Sequence, residues 1–207
     1  YRIDWDAVHS ALNSRTRLII INSPNNPSGS VISDSDILNL KTIVRRNDIF
    51  ILSDEVYEHI IFDGKDHKSM LMDDELFQRS FIVSSFGKTF HITGWKVGYC
   101  VAPKDLTNEL RKIHQFLTFS TSTPFQYALA EYIKNLSRIK NLNNFYQSKR
   151  DLFLNLISGT GFRPLVCEGT YFQMMDYSSL SDENDFDFAV RLTKECRVAS
   201  IPVSVFY

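Results

Sequence analysis

The sequence is poor in the features that mark specialised classes of protein. It has three cysteines, Cys100, Cys167 and Cys196, far apart and without metal-ligand spacing. Their odd number fits a disulfide framework poorly, so reduced thiols and a cytoplasmic location are the simplest expectation. No apolar run approaches the ~20 residues of a membrane helix; Leu18-Ile19-Ile20-Ile21 is only strand-sized. The opening Tyr1-Arg2-Ile3-Asp4-Trp5 lacks the basic stretch and apolar stretch of a signal peptide. Neither charge dominates, with 23 Lys and Arg against 24 Asp and Glu and no long block of one sign. Nothing therefore points to nucleic acid or to a membrane surface as a partner. No internal repeat and no low-complexity linker interrupts the chain.

What is present suffices for a folded core. The 207 residues are 43% hydrophobic, the size of one domain or one and a half. Asp4 is placed to cap a helix with Trp5, Val8 and Leu12 on one face. Residues 17–22 are a short, β-branched apolar run and read as a buried strand. The strand runs into Ser23-Pro24-Asn25-Asn26-Pro27-Ser28-Gly29. A helix over 33–46 follows, with Ile37, Leu40, Ile43 and Val44 as its apolar stripe. Residues 49–52 are the next strand, ahead of Ser53-Asp54-Glu55-Val56-Tyr57. A third strand, 80–84, leads into Ser85-Phe86-Gly87-Lys88, and 97–102 is a fourth. Strands alternating with helices predict an α/β fold, a mainly parallel sheet flanked by helices. Ligands of such sheets bind at the carboxyl ends of the strands, and the three polar clusters lie there.

Beyond Pro103 the pattern turns helical. Leu106, Leu110 and Ile113 make a stripe expected in the core, which Leu117 extends. Thr123-Pro124 reads as a cap with proline at the first helical position. Phe145, Leu152 and Leu156 suggest a long bridging helix. Short strands are expected over 162–166 and 170–177, and a helix over 185–195. The chain thus divides into residues 1–145, part of a large α/β domain, and 146–207, a bridging helix with the start of a smaller α+β domain.

The three clusters supply what pyridoxal 5′-phosphate (PLP) requires: an amine to form a Schiff base, a carboxylate to keep the pyridine nitrogen protonated, and donors for the phenolic oxygen and phosphate. Lys88, directly after a strand, offers the amine and afterwards a base for the α-proton. Positioned bases contribute about 10²–10⁴-fold. Asp54 ends a buried strand, where a carboxylate is costly unless paired; a pyridinium would pair it. Tyr57, three residues on, reaches towards the same cofactor's phenolic oxygen. A cis bond before Pro27, tolerated at modest cost, would turn the Asn26 amide towards the pocket. Ser85 and Lys96 are candidate phosphate donors, and Gly94 next to Lys96 allows close backbone approach. Each residue alone has an ordinary alternative: Lys88 a surface lysine, Asp54 a cap or salt bridge, Tyr57 aromatic packing, Asn26-Pro27 a plain turn. Only their combination favours the cofactor.

Four blocks, SPNNPSG at 23–29, SDEVY at 53–57, SSFGKTFHITGWKVGYCVAP at 84–103 and CEGTYF at 167–172, stand in the order and spacing of a known family. On them the chain resembles the class I/II aminotransferases of the fold-type-I PLP enzymes, over essentially its whole length. The third block in particular resembles the methionine aminotransferase branch, related to kynurenine/glutamine transaminases. The resemblance implies that Lys88 is the Schiff-base lysine and that Asp54 pairs with the pyridine nitrogen. Tyr57 and Asn26 would hold the phenolic oxygen, Asn26 also the substrate carboxylate, and Ser85 and Lys96 the phosphate. Many members carry arginine at the Lys96 position; lysine keeps the charge but loses the bidentate fork. Family members also carry a C-terminal arginine for the substrate carboxylate and an N-terminal segment that contacts the cofactor. Neither lies within these residues, so the resemblance implies a fragment, and a homodimer.

Aspartate-specific relatives place an arginine in the loop after the helix at 104–117. Here that loop is Phe119-Ser120-Thr121-Ser122-Thr123, without a cation, which favours a neutral amino acid, of methionine or aromatic type, as donor to a 2-oxo acid. Phe119 is either a pocket residue or a core aromatic. His59, His91 and His114 have no metal-like partners and are expected to be structural, with no metal bound. Asp73-Asp74-Glu75 is expected to be a solvated acidic turn. Two alternatives remain open at this point. One is a PLP-dependent C–S lyase of the same fold, against which Tyr57 and Thr93-Gly94-Trp95 weigh. The other is an aminotransferase-like ligand-sensing domain of a regulator.

Overall fold

The structure is a computed structural model that describes residues 1–135, 137 and 139–206. The chain opens on helix α1 (Trp5–Ala11), whose N-cap Asp4 accepts the Ala7 N–H at 2.9 Å. Strand β1 (Leu18–Asn22) follows, then helix α2 (Asp34–Arg46) and strand β2 (Phe50–Asp54). A one-turn helix α3 (Asp74–Phe77) leads to strand β3 (Ser80–Ser85), and the short helix α4 (Phe86–Thr89) and a 3₁₀ turn at Thr93–Trp95 to strand β4 (Gly98–Val101). The four strands form one sheet in the order β1-β2-β3-β4. The first three are parallel, and β4 pairs antiparallel with β3. β4 reverses because no long crossover helix separates it from β3.

The period of the strands decides what faces the core. Ile21, Ile51 and Ile82 point to one side, where they pack with Leu40 and Val44 of α2 and with Met70 and Leu76. α2 starts on a full capping box: Asp36 N–H donates to Ser33 Oγ, and Ser33 N–H to the Asp36 carboxylate. The opposite face of β1 is open. Leu18 is 45% and Ile20 66% exposed, so the strand expected over 17–22 forms as Leu18–Asn22 but is buried on one face only. No described element covers the other.

Helices α5 (Lys104–Leu117), α6 (Thr123–Tyr132) and α7 (Leu142–Ile157) follow. α6 has Ser122 as its N-cap, one residue before the expected Thr123, with Pro124 still in its first turn. The stripe on α5 is not core. Leu106 and Leu110 are half-buried, and Ile113 and Leu117 are exposed. The heptad spacing built the helix face correctly, but nothing among the described residues packs on its C-terminal half.

The expected strands over 162–166 and 170–177 shrink to a two-residue pair, β5 (Arg163–Pro164) with β6 (Met175–Asp176). Leu165 N–H still donates to Met174 O at 2.9 Å, but the residues further in bond elsewhere. Phe62 N–H donates to Glu168 O at 2.9 Å, Thr170 N–H to Ile60 O at 2.9 Å, and Glu168 N–H to Gly29 O at 2.8 Å. A second cluster of Tyr57, Ile60, Phe62, Leu142 and Cys167 packs beneath this seam. Helix α8 (Asp185–Arg191) is capped by Asn184 and runs on as a wider π turn over Leu192–Cys196. The acidic turn is also more engaged than expected. Asp73 caps α3 and accepts from Lys41 Nζ at 2.6 Å, and Glu75 takes a two-pronged bond from Arg45. No helix among the described residues is long and apolar enough to cross a membrane.

Candidate active site

The strand register builds the site. Asn22, Asp54 and Val83 are successive partners at the carboxyl ends of β1, β2 and β3. Asp54 therefore stands between two neighbours rather than in solvent, and it is half-buried. Its carboxylate accepts the Val56 N–H at 3.2 Å, and among the described residues it has no cation partner. Asn22, which the sequence reading passed over, ties the strand ends to the next loop. Its amide donates to Asp54 O at 3.1 Å, and its side-chain oxygen accepts the Asn26 N–H at 2.8 Å.

The loop 23–29 is held by its own polar groups. Asn25 Oδ1 accepts the Ser28 hydroxyl at 2.7 Å, and Gly29 N–H donates to Asn25 O at 2.8 Å. Both prolines follow cis bonds, at Ser23–Pro24 and at Asn26–Pro27, the second as expected. Gly29 has φ +69°, and a Cβ there would stand 2.6 Å from Cys167 Sγ. Only glycine suits the backbone and the space.

Tyr57 is buried, 2% exposed. Burial, with the Tyr171 hydroxyl and the Asp54 charge beside it, pushes its phenol well above the ordinary value, and the Asn26 amide acts against them. Asn26, Asp54 and Tyr171 thus all bear on the one phenol. Lys88 reaches the same place from α4. Its Nζ lies 6.0 Å from the centre of the Tyr57 ring and 5.7 Å from that of Tyr171. Among the described residues Lys88 forms no ion pair. Asn26, Asp54, Tyr57 and Lys88 are thus brought together from three separate stretches of sequence.

Ser85 and Lys96 lie on neighbouring turns, with Ser85 bonded to Val97, the residue after Lys96. Ser85 Oγ accepts the Gly87 N–H at 3.0 Å and donates to Val97 O at 3.3 Å. A Cβ on Gly87 would meet Thr93 Cα at 2.9 Å, and one on Gly98 would meet Ser84 O at 2.6 Å, so α4 and the start of β4 both need glycine to lie this close. Lys96 is exposed and left-handed at φ 55°, with no ion pair among the described residues.

Behind the site, Ser84 and Tyr99 both donate to Glu58 Oε1, at 2.9 and 2.6 Å. Burial and Glu58 push the Tyr99 phenol up to about 12. Glu55, 2% exposed, accepts from Ser53 Oγ and the Met70 N–H and faces His67 Nε2 at 2.7 Å. Glu55, Glu58 and His67 bring ligand-type atoms within 4.8 Å of one another, a grouping the spacing in sequence did not show. Of the three histidines read as structural, His114 is exposed on α5, and His59 alone of them approaches this group. His91 meets Tyr146 and Phe145, and His59 lies 3.8 Å from Glu58.

A sheet that delivers a lysine, a carboxylate, a phenol and an amide to one set of strand ends is an α/β enzyme scaffold with the groups for amine chemistry. The family model for aminotransferases of class I and II matches residues 1–207, and the chain belongs to that family. It is 47% identical over its whole length to the methionine aminotransferase of Escherichia coli K12, of which it covers 54%. It is 34% identical to the kynurenine–oxoglutarate transaminase of Dictyostelium discoideum, covering 52% of it. The crystal structure of YbdL from Escherichia coli, described by a methionine aminotransferase function, superposes on all of the chain with a TM-score of 0.97, at 47% identity and over 54% of that structure. The N-succinyldiaminopimelate aminotransferase of Mycobacterium tuberculosis superposes on 99% of the chain with a TM-score of 0.94, at 33% identity and over 54% of its own length. The chain thus spans about half the length of the relatives it matches.

Proposed function

We propose that this chain is the cofactor-binding part of a PLP-dependent aminotransferase that moves the amino group of a neutral amino acid, of methionine or aromatic type, to a 2-oxo acid. The observation that carries the proposal is the meeting of Asn26, Asp54, Tyr57 and Lys88 at the strand ends of a class I/II aminotransferase fold. The donor set fits PLP. Asp54 is a half-buried carboxylate with no cation among the described residues, and Lys88 is an amine with no carboxylate.

When bound, PLP supplies an electron sink for the substrate carbon. Asp54 holds the pyridine nitrogen protonated. Tyr57 Oη and the Asn26 amide hold the phenolic oxygen, and Asn26 orients the substrate carboxylate. Ser85 and Lys96 bind the phosphate, which requires the Ser85 hydroxyl to turn its proton from Val97 O. Lys88 Nζ would hold the cofactor and, once displaced by the substrate amine, would move the proton from the substrate α-carbon to the cofactor carbon that bears the nitrogen. The cation-free loop 119–123 leaves a side-chain carboxylate unpaired, and Phe119, 82% exposed, is available to line an apolar pocket. The E. coli methionine aminotransferase supports the same donor class. Residues 1–145 and 146–207 are assigned to a large and a small domain, and the working unit is a homodimer.

The test is the visible spectrum of the purified full-length protein with PLP, before and after L-methionine in the absence of a 2-oxo acid. Loss of the yellow cofactor band with release of the methionine oxo acid is expected. Release of ammonia and a thiol instead would assign a lyase. A Lys88→Ala variant whose spectrum matches the wild type would remove Lys88 from the reading.

A further inference from the structure

Tyr171 belongs to the CEGTYF block, yet nothing so far gives it a task. Its position is fixed from below. Thr170 is fully buried at φ +69°, and its N–H donates to Ile60 O at 2.9 Å. Gly169 bridges to Ile61, and a Cβ on Gly169 would stand 2.7 Å from Ile60 O. The backbone before Tyr171 is therefore pressed onto residues 60–61, just beyond Tyr57. Its ring consequently meets Tyr57 edge to face, with centres 5.3 Å apart and planes at 83°. Tyr146 and Phe172 back it at 5.7 and 4.9 Å.

Two rings near a right angle make a corner, and Lys88 Nζ lies in it, 5.7 Å from one centre and 6.0 Å from the other. Aromatic faces attract a cation within about 6 Å of the ring centre. With no carboxylate paired to Lys88 among the described residues, the corner is what the amine meets. We propose that Tyr171 is a positioning residue which, with Tyr57, forms an aromatic corner that holds the Lys88 amine at the strand ends. The proposal rests on Lys88 being the cofactor lysine. It assigns the work to the Tyr171 ring and not to its hydroxyl.

The test compares Tyr171→Phe, which keeps the ring, with Tyr171→Leu, which removes it, in the full-length protein. Lys88 is labelled by formaldehyde and cyanoborohydride without PLP, and its peptide is followed by mass spectrometry with Lys96 as internal control. Tyr171→Leu is expected to label Lys88 roughly threefold faster, with Lys96 unchanged, and Tyr171→Phe to match the wild type. With PLP and substrate, Tyr171→Leu is expected to lower kcat roughly tenfold with KM within about twofold, as loss of orientation does. Should Tyr171→Leu fail to fold, judged by circular dichroism, Tyr171→Met makes the same comparison.

Equal labelling of Lys88 in Tyr171→Leu and wild type would overturn the proposal. So would a Tyr171→Phe variant as impaired as Tyr171→Leu, because the hydroxyl would then be the active part. Borohydride reduction of the wild type with PLP separates the two levels. If it leaves Lys88 unmodified, the cofactor assignment fails, while the labelling still decides the corner.

Discussion

Two adjacent carboxylates at the end of β2 have opposite fates. Asp54 is left without a cation, whereas Glu55 is saturated by Ser53, His67 and the Met70 N–H. Removing the Asp54 charge takes away the proposed partner of the pyridine nitrogen. A charged hydrogen bond is worth about 1.5–3 kcal/mol, so Asp54→Asn should weaken PLP binding roughly 10–100-fold, read by equilibrium dialysis, with little change in melting temperature. Glu55 carries stability instead. Burial works to raise its pKa, but hydrogen bonds from His67, Ser69 and Ser53 and the His67 charge outweigh it and hold the group below its ordinary 4.5. The folded value lies below the unfolded one, so the stabilisation is complete above pH 4.5 and is lost as pH falls through the folded value. Glu55→Gln should accordingly flatten the fall in denaturation midpoint below pH 4.5. An unchanged acid limb would count against the role. Lys88, Asp54, Tyr57, Asn26 and Ser85 were legible in sequence because each sits in a short block beside a strand end. Asn22 and Tyr171 were not. Asn22 matters only because Asp54, 32 residues away, is its strand partner, and Tyr171 reaches Tyr57 across most of the chain.

At the level of elements, the caps and the close-packed glycines should separate stability from function. Ser33→Ala breaks the capping box of α2, whose bonds involve none of the proposed cofactor residues, and should cost about 1 kcal/mol in chemical denaturation with PLP affinity unchanged. Gly98→Ala puts a Cβ 2.6 Å from Ser84 O, at the crossing of β3 and β4. Overpacking of that kind costs typically 1–3 kcal/mol. Here it should also lower PLP affinity, since β4 directly follows the turn bearing Lys96 and Val97. If both variants lose stability alone, the β3–β4 crossing has no share in the cofactor site. α2 could be read almost residue by residue, since its cap and its stripe are both local. The direction of β4 could not, because a short connection and the sheet's other strands decide it.

For the whole molecule, the informative surface is apolar. Ile113, Phe116 and Leu117 of α5 are 57, 86 and 80% exposed, and at i, i+3 and i+4 they share one helix face. The expected stripe predicted a core that Ile113 and Leu117 do not find among the described residues. A polypeptide of these 207 residues alone should therefore self-associate, and Ile113→Glu with Leu117→Lys should shift sedimentation towards the monomer by at least about tenfold in dissociation constant. An unchanged distribution would mean that association runs through another surface, such as the open face of β1.

The Glu168 carboxylate reaches across 137 residues to the Val31 N–H and also takes Arg2 and Lys65, while the Glu168 N–H meets Gly29 O. For anyone recombining such enzymes, a crossover within α7 is tempting, because it falls between compact stretches of chain. It would give the proline-rich loop one parent and the segment that clasps it another. Functional chimeras should then be recovered chiefly when residues 23–31 and 167–172 are inherited as one unit, although more than a hundred positions lie between them.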